Sequence, residues 1–326
     1  MDLEKCILRA QLTREFVNVD GYAKIVPKWD EEALQGCPIC GGLKFIENIN
    51  PQGYRVISPC PGDYALRRIE LFNQACIPAR YKDARFESFN TKVCRSGAAD
   101  IARFIEEIKN FKKGDLGRLF EGDSGTGKTH LMCAAIRYLT LELGVACRYV
   151  DFSILISDIR AAYGASENGF EWEFLRPIVF VPVLFFDELG KGRKNANEFE
   201  LRIVDEIVNR RYENPDLTTF FASNYRDRET SGYRFYCANG YNVQASSPME
   251  SEKWKKFAVH RWSEENRRKT AEEVRFRGVE DFEAYVRDLM GRDHIEDRIS
   301  ERTASRIVAM AIPTFIQAPD YRRSIQ

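Results

Sequence analysis

The run Gly122-Asp123-Ser124-Gly125-Thr126-Gly127-Lys128-Thr129 sets glycines, a lysine and a hydroxyl at the spacing of a phosphate-binding loop. Glycine lets the backbone curl tightly, so that successive N–H groups and the start of the following helix converge on an anion. In that arrangement Lys128 reaches the β- and γ-phosphates of a nucleotide, and Thr129 puts its hydroxyl on Mg²⁺. The surroundings agree: the apolar segment from Leu116 to Phe120 precedes the loop and a helix-like run from Leu131 to Leu143 follows it. A chance glycine-rich turn lacks this strand–loop–helix setting.

More chemistry lies downstream. Val183-Leu184-Phe185-Phe186 is an apolar run ending in Asp187-Glu188, which delivers two carboxylates to the C-terminal edge of a parallel sheet, where ligands bind in this architecture. Asp187 suits the Mg²⁺ shell, and Glu188 suits the orientation and polarisation of the attacking water in phosphoryl transfer. The next apolar strand, Thr219 to Ala222, leads into Ser223-Asn224. Asn224 then lies beside the Asp187-Glu188 strand end, within reach of the lytic water or the γ-phosphate; the alternative is an asparagine that merely caps a turn.

Cysteine supplies a third constellation. Cys37-Pro38-Ile39-Cys40-Gly41-Gly42 reads as a zinc knuckle, two thiolates with glycines that let the backbone fold around the metal. Cys60 is the expected third ligand and Cys76 the fourth, with Asp63 or Cys94 as alternates. Plain buried thiols are the alternative; a redox dithiol at Cys37 and Cys40 also competes with this reading, but such pairs open a helix after a strand, and the Pro- and Gly-rich flanks here do not.

These groups need a scaffold, and the chain between them supplies alternating elements. A strand at Ala146–Phe152, a helix at Ile154–Tyr163, a buried strand at Ile178–Phe186, a helix at Glu198–Tyr212 and a strand at Thr218–Ala222 predict an α/β fold with a central, mostly parallel sheet. An amphipathic helix at Ala98–Lys109, with Ile101, Phe104, Ile105 and Ile108 on one face, leads into the first core strand. A helix at Glu301–Met310 and a strand at Thr314–Ile316 complete the core. The expected organisation is a Cys-rich, zinc-ribbon-like domain over 1–78, a linker and helix over 79–113, the core over 114–225, an inserted region over 226–300 and the end of the core over 301–326. The inserted region is expected to carry helices around Trp254–Thr270 and Val279–Met290, with Tyr233, Phe235, Tyr236, Trp254 and Trp262 packing a satellite core.

The 326 residues hold 49 basic and 49 acidic side chains, so bulk charge does not point to a protein that coats nucleic acid. The apolar run from Ile178 to Phe186 is too short to span a bilayer, and Met1-Asp2-Leu3-Glu4-Lys5 has no apolar signal core, which predicts a cytoplasmic protein without a membrane role.

Taken with Arg210-Arg211-Tyr212, Ala222-Ser223-Asn224-Tyr225, Glu301-Arg302-Thr303-Ala304-Ser305-Arg306 and Asp320-Tyr321-Arg322, these motifs resemble the AAA+ ATPases that load the replicative helicase (DnaC-like) and their relatives that assist transposases (IstB-like). The resemblance runs over about residues 78–323, broken by 226–300, and the N-terminal cysteines resemble the zinc domain of some loaders. It implies an AAA+ P-loop core, ATP with Mg²⁺ bound by residues 122–130 including His130, a Zn²⁺ domain, and an ATP site shared between subunits of a homo-oligomer. It further implies that Arg306 is an arginine finger acting on a neighbouring subunit's ATP, and that Arg322 is a second sensor in its own subunit. The implied activity is ATP hydrolysis by a helicase-loader-type switch with a replicative helicase as protein partner; the alternative is a transposition helper that assembles on duplex DNA and recruits a transposase. DNA contact is an open expectation, most directly at Lys191-Gly192-Arg193-Lys194, where it would be coupled to hydrolysis.

Overall fold

The computed structural model describes residues 12–29, 39–41, 43–94, 97–163, 170–191, 198–225, 233–237, 242–244, 257–261, 272–274, 295 and 298–323. Two hairpins come first: β1 (Leu12–Val19) with β2 (Tyr22–Trp29), and β3 (Phe45–Ile49) with β4 (Arg55–Pro59). Helix α1 (Pro61–Gln74) follows, with proline in its first turn, where no N–H partner is needed. Short 3₁₀ turns at Ala79–Tyr81, Phe86–Ser88 and Thr91–Val93 carry the chain to α2 (Ala98–Lys109).

The core comprises β5 (Gly117–Glu121), α3 (Lys128–Tyr138), β6 (Cys147–Asp151), α4 (Phe152–Tyr163), α5 (Phe170–Val179), β7 (Val183–Asp187), α6 (Glu198–Tyr212) and β8 (Thr218–Ser223). It closes with α7 (Glu301–Met310) and β13 (Ala311–Phe315). Between them, β9 (Tyr233–Cys237), β10 (Asn242–Gln244), β11 (Phe257–Arg261) and β12 (Glu272–Val274) form an antiparallel sheet in the order β10-β9-β11-β12.

The central sheet has five parallel strands in the order β13-β5-β8-β7-β6. Its residues alternate between two apolar cores, as strand geometry requires. Phe120, Val183, Phe185, Phe220 and Ala222 face the side of α1, α2 and α3, whereas Leu119, Leu184, Phe186 and Phe221 face the side of α4 to α7. Ala23, Ile25, Ala65, Ile69 and Phe72 from the N-terminal hairpin and α1 share the first cluster with Phe104 and Phe120.

Two buried arginines tie elements together. Arg211, 1% exposed, donates to Thr219 Oγ1, to the carbonyls of Val179 and Val181, and to that of Thr218, joining α6 to the end of α5, the turn that follows it, and β8. Arg118 forks onto Glu107 of α2 and reaches Thr314 of β13.

The structure corrects three sequence expectations. Ile178 and Val179 end helix α5 instead of opening a strand, and β7 starts at Val183. An apolar run of this length does not separate the end of a buried helix from the start of a buried strand. In the inserted region Phe257–Arg261 is a strand where a helix was expected; the stretch Val279–Met290 lies outside the described residues, as do Trp254 and Trp262. The Pro- and Gly-rich stretch after Cys37 contains a hairpin and a fourteen-residue helix, and no distinct zinc-ribbon domain is formed by the described residues. No helix among the described residues is long and apolar enough to cross a membrane.

Candidate nucleotide site

The C-terminal ends of β5, β7 and β8 converge on one edge of the sheet. The loop from Gly122 to Gly127 leaves β5 and turns directly into α3. Gly127 has φ 96° and lies against the ring of Phe89, 2.5 Å from where a Cβ would stand, so only glycine fits. The 3₁₀ segment that carries Phe89 also clasps the helix start, with His130 Nε2 3.0 Å from Ser88 Oγ and 3.1 Å from the Arg85 carbonyl.

Lys128 Nζ donates to the carbonyls of Gly122 (2.6 Å) and Asp123 (2.8 Å) and to Asn224 Oδ1 (2.8 Å). Burial draws its ammonium down to about 8, against the opposing pull of Asp187, Asp123 and Glu188. Thr129 Oγ1 donates to Asp187 Oδ2 at 2.6 Å, and the Glu188 N–H donates to Asp187 Oδ1 at 2.8 Å. Asp187 is 2% exposed, and burial pushes its carboxyl above the ordinary range even though these donors pull the other way. A carboxylate and a hydroxyl held this close form the hard-oxygen set that suits Mg²⁺.

Glu188 sits in the left-handed region at φ 56°, a conformation that costs energy for a non-glycine residue and clusters at functional turns. Its carboxylate forms an ion pair with Lys191. The sequence suggested Lys191 as a DNA contact; in the structure it faces Glu188, while Arg193 and Lys194 lie outside the described residues.

From the C-terminal end, Asp320, Tyr321 and Arg322 dock on the phosphate loop. The Tyr321 N–H donates to the Gly125 carbonyl (3.1 Å), and Arg322 Nη2 donates to Ser124 Oγ (2.8 Å). Arg322 also binds its own Asp320 through Nε at 3.0 Å, which holds the guanidinium above its ordinary pKa. Arg306 is elsewhere: it lies 3.7 Å from Asp205 of α6 and over the ring of Tyr212, neither of them a phosphate-loop residue.

One residue that the motifs do not flag belongs to this site. Tyr149 of β6 donates from its hydroxyl to Asp187 Oδ2 at 2.9 Å. The available signal was chemical: a tyrosine inside an apolar strand needs a partner for its hydroxyl.

The described residues do not show the expected zinc site. Cys40 and Cys60 pack together with Ile39 and Ile46 at the base of the β3–β4 hairpin, and Cys37 lies outside the described residues. Cys76 is not gathered with them; it follows α1, and its Sγ points to the Gln74 carbonyl. Neither alternate joins the pair: Asp63 bonds Arg67, and Cys94 packs against the main core. Among the described residues no group of three or more metal-ligating side chains forms.

With this geometry in place, comparison with known proteins becomes informative. No family model matches the chain. A replicative helicase loader DnaC of Buchnera aphidicola subsp. Baizongia pistaciae is 28% identical over 148 residues, which cover 45% of this chain and 58% of the loader. The chain is a distant, partial match to replicative helicase loaders DnaC. DnaC of Escherichia coli K12 is 24% identical over 147 residues and 58% of its length, and the uncharacterized protein YdaV of the same organism is 28% identical over 194 residues and 67% of its length. The matched region thus spans little more than half of the loaders' length. Among solved structures, a crystal structure of the DnaC helicase loader aligns over 73% of this chain and 99% of that one at 20% identity and a TM-score of 0.44. A crystal structure of DnaI aligns over 74% and 93% at 19% identity, also with a TM-score of 0.44.

Proposed function

We propose that this protein is an ATP-hydrolysing AAA+ switch of the helicase-loader type, which binds ATP between subunits and remodels or delivers a protein partner on DNA. One observation carries the reading. Lys128 and Thr129, from one strand–loop–helix unit, are hydrogen-bonded to Asn224, just after the adjacent strand β8, and to Asp187, at the end of β7 beyond it. That is the constellation that phosphoryl transfer from a nucleotide requires.

In this reading Lys128 neutralises the terminal phosphates, and Thr129 and Asp187 hold Mg²⁺, which supplies positive charge to the leaving and transferred groups. Glu188 orients the attacking water and takes its proton. The Asn224 amide carries two N–H donors beside Lys128, suited to the same water or to the γ-phosphate. Arg322, already on the phosphate loop, acts in its own subunit. Arg306, on the α6–α7 face, acts on the ATP of a neighbour, so the lone subunit is a slow ATPase. Zinc has no part in this reading, because among the described residues Cys40 and Cys60 gather no further ligand toward the four of a structural site.

The test is the ATPase rate and oligomer mass of the purified protein, alone and with single- or double-stranded DNA. Turnover that rises with assembly supports the switch, and stimulation by duplex DNA alone favours the transposition helper over the loader. A monomer that hydrolyses ATP equally well at every concentration, with or without DNA, would sink it.

A further inference from the structure

We propose that Tyr149 is the positioning residue that fixes the Asp187 carboxylate in its metal-binding orientation; the inference rests on the nucleotide reading above. The Tyr149 hydroxyl donates at 2.9 Å to Asp187 Oδ2, the same oxygen that accepts from Thr129 Oγ1. With the Glu188 N–H on Oδ1, this gives a nearly fully buried carboxylate three donors. A buried carboxylate stays charged and oriented only while such donors surround it. Of the three, the Tyr149 hydroxyl is the one that belongs neither to the phosphate loop nor to the turn carrying Glu188, so it stays in place when those segments engage a ligand.

Tyr149 is itself held rigidly. It pairs with Phe185 in the β6–β7 register, and on the outer side of β6 its N–H donates to the Ala75 carbonyl at the end of α1 (2.8 Å). The sheet edge is therefore closed at this residue by the N-terminal helix, and the ring, 7% exposed, packs in the core below. Nothing in the loop motifs encodes this contact, because the tyrosine comes from a strand with no nucleotide signature.

The experiment uses Tyr149→Phe in the full chain, which removes one hydroxyl and keeps the ring. Binding of a fluorescent ATP analogue is measured while Mg²⁺ is titrated, and again in excess chelator. The Mg²⁺ concentration at half-saturation rises about tenfold or more, the usual effect of deleting a group that orients a metal ligand, while metal-free nucleotide affinity stays within about twofold. In an Asp187→Asn background the same change adds less than about twofold, since Tyr149 acts through Asp187. An unchanged Mg²⁺ midpoint overturns the inference. So does an equal loss of affinity with and without Mg²⁺, or full additivity with Asp187→Asn, each of which marks a purely structural role. If the wild-type chain shows no Mg²⁺-dependent nucleotide binding, the nucleotide reading falls first and this inference with it.

Discussion

Lys128 Nζ donates a 2.8 Å hydrogen bond to Asn224 Oδ1 across 96 residues of sequence, joining the phosphate loop to the end of β8. The contact orients the Asn224 amide with its N–H groups away from the lysine. Asn224→Ala is expected to leave ATP binding largely intact and to lower turnover by about 10²-fold, the typical effect of losing one preorganised donor. Glu188→Gln should also bind ATP and slow hydrolysis by about 10²- to 10⁴-fold. Single-turnover measurements with bound ATP check both, and full turnover in the glutamine variant would remove Glu188 from its role.

The two arginines are expected to differ in how they respond to protein concentration. Arg322 touches Ser124 of its own phosphate loop, so Arg322→Ala should weaken activity at every concentration. Arg306 makes its contacts on α6, and Arg306→Ala should abolish the activity gained on assembly while leaving nucleotide binding unchanged. Mixing inactive Arg306→Ala with inactive Lys128→Ala restores some turnover if the sites are shared, and equal inertness of the mixture contradicts sharing.

Burial lowers Lys128 from 10.5 to about 8 in the folded chain. Between those values the unfolded chain binds a proton that the folded chain does not, so the stability of the ligand-free protein rises with pH across that window. Phosphate binding runs the other way, because it needs the ammonium, and nucleotide affinity should fall above about pH 8. Denaturant melts and ATP binding measured from pH 7 to 10, with Lys128→Met as the variant in which both trends flatten, check the two signs.

Gly125 is expected to tolerate no side chain. Its φ is 85°, and a Cβ there would stand 1.9 Å from Asp320 Oδ1. Gly125→Ala should therefore displace the Asp320–Arg322 segment and weaken ATP binding together. Protease sensitivity of the C-terminal residues, read beside ATP affinity, separates this from a change confined to the loop.

Arg211 is expected to be a folding residue rather than a catalytic one. It is buried, drawn down to about 9, and bonded to neutral oxygens of α5, the turn after it and β8. Arg211→Ala leaves several buried carbonyls without a donor and opens a cavity, a loss of about 3–5 kcal/mol. Urea denaturation should show it, with ATPase kinetics unchanged in the fraction that remains folded.

Local chemistry made much of this protein legible before its structure. Residues 122–129 were legible as a glycine-rich loop opening a helix, since glycine, lysine and threonine at that spacing between an apolar strand and a helical run form a recognisable local pattern. Helix Ala98–Lys109 falls where its apolar stripe put it, and Glu198–Tyr212 and Glu301–Met310 fall where the alternation of elements put them. The α5–β7 junction was not readable, since a continuous apolar run serves a buried helix and a buried strand equally well.

Sequence alone thus determined the parts, including the carboxylates at the end of an apolar strand and the loop that faces them. Tertiary structure decided the partnerships: that Tyr149 holds Asp187, that Lys191 lies on Glu188, that Asp320 rests on Gly125, and that Cys76 stands apart from Cys40 and Cys60. These depend on strand order and on which face of each element meets the next. Such long-range relations are set by packing of the whole chain, and no local spacing of residues encodes them.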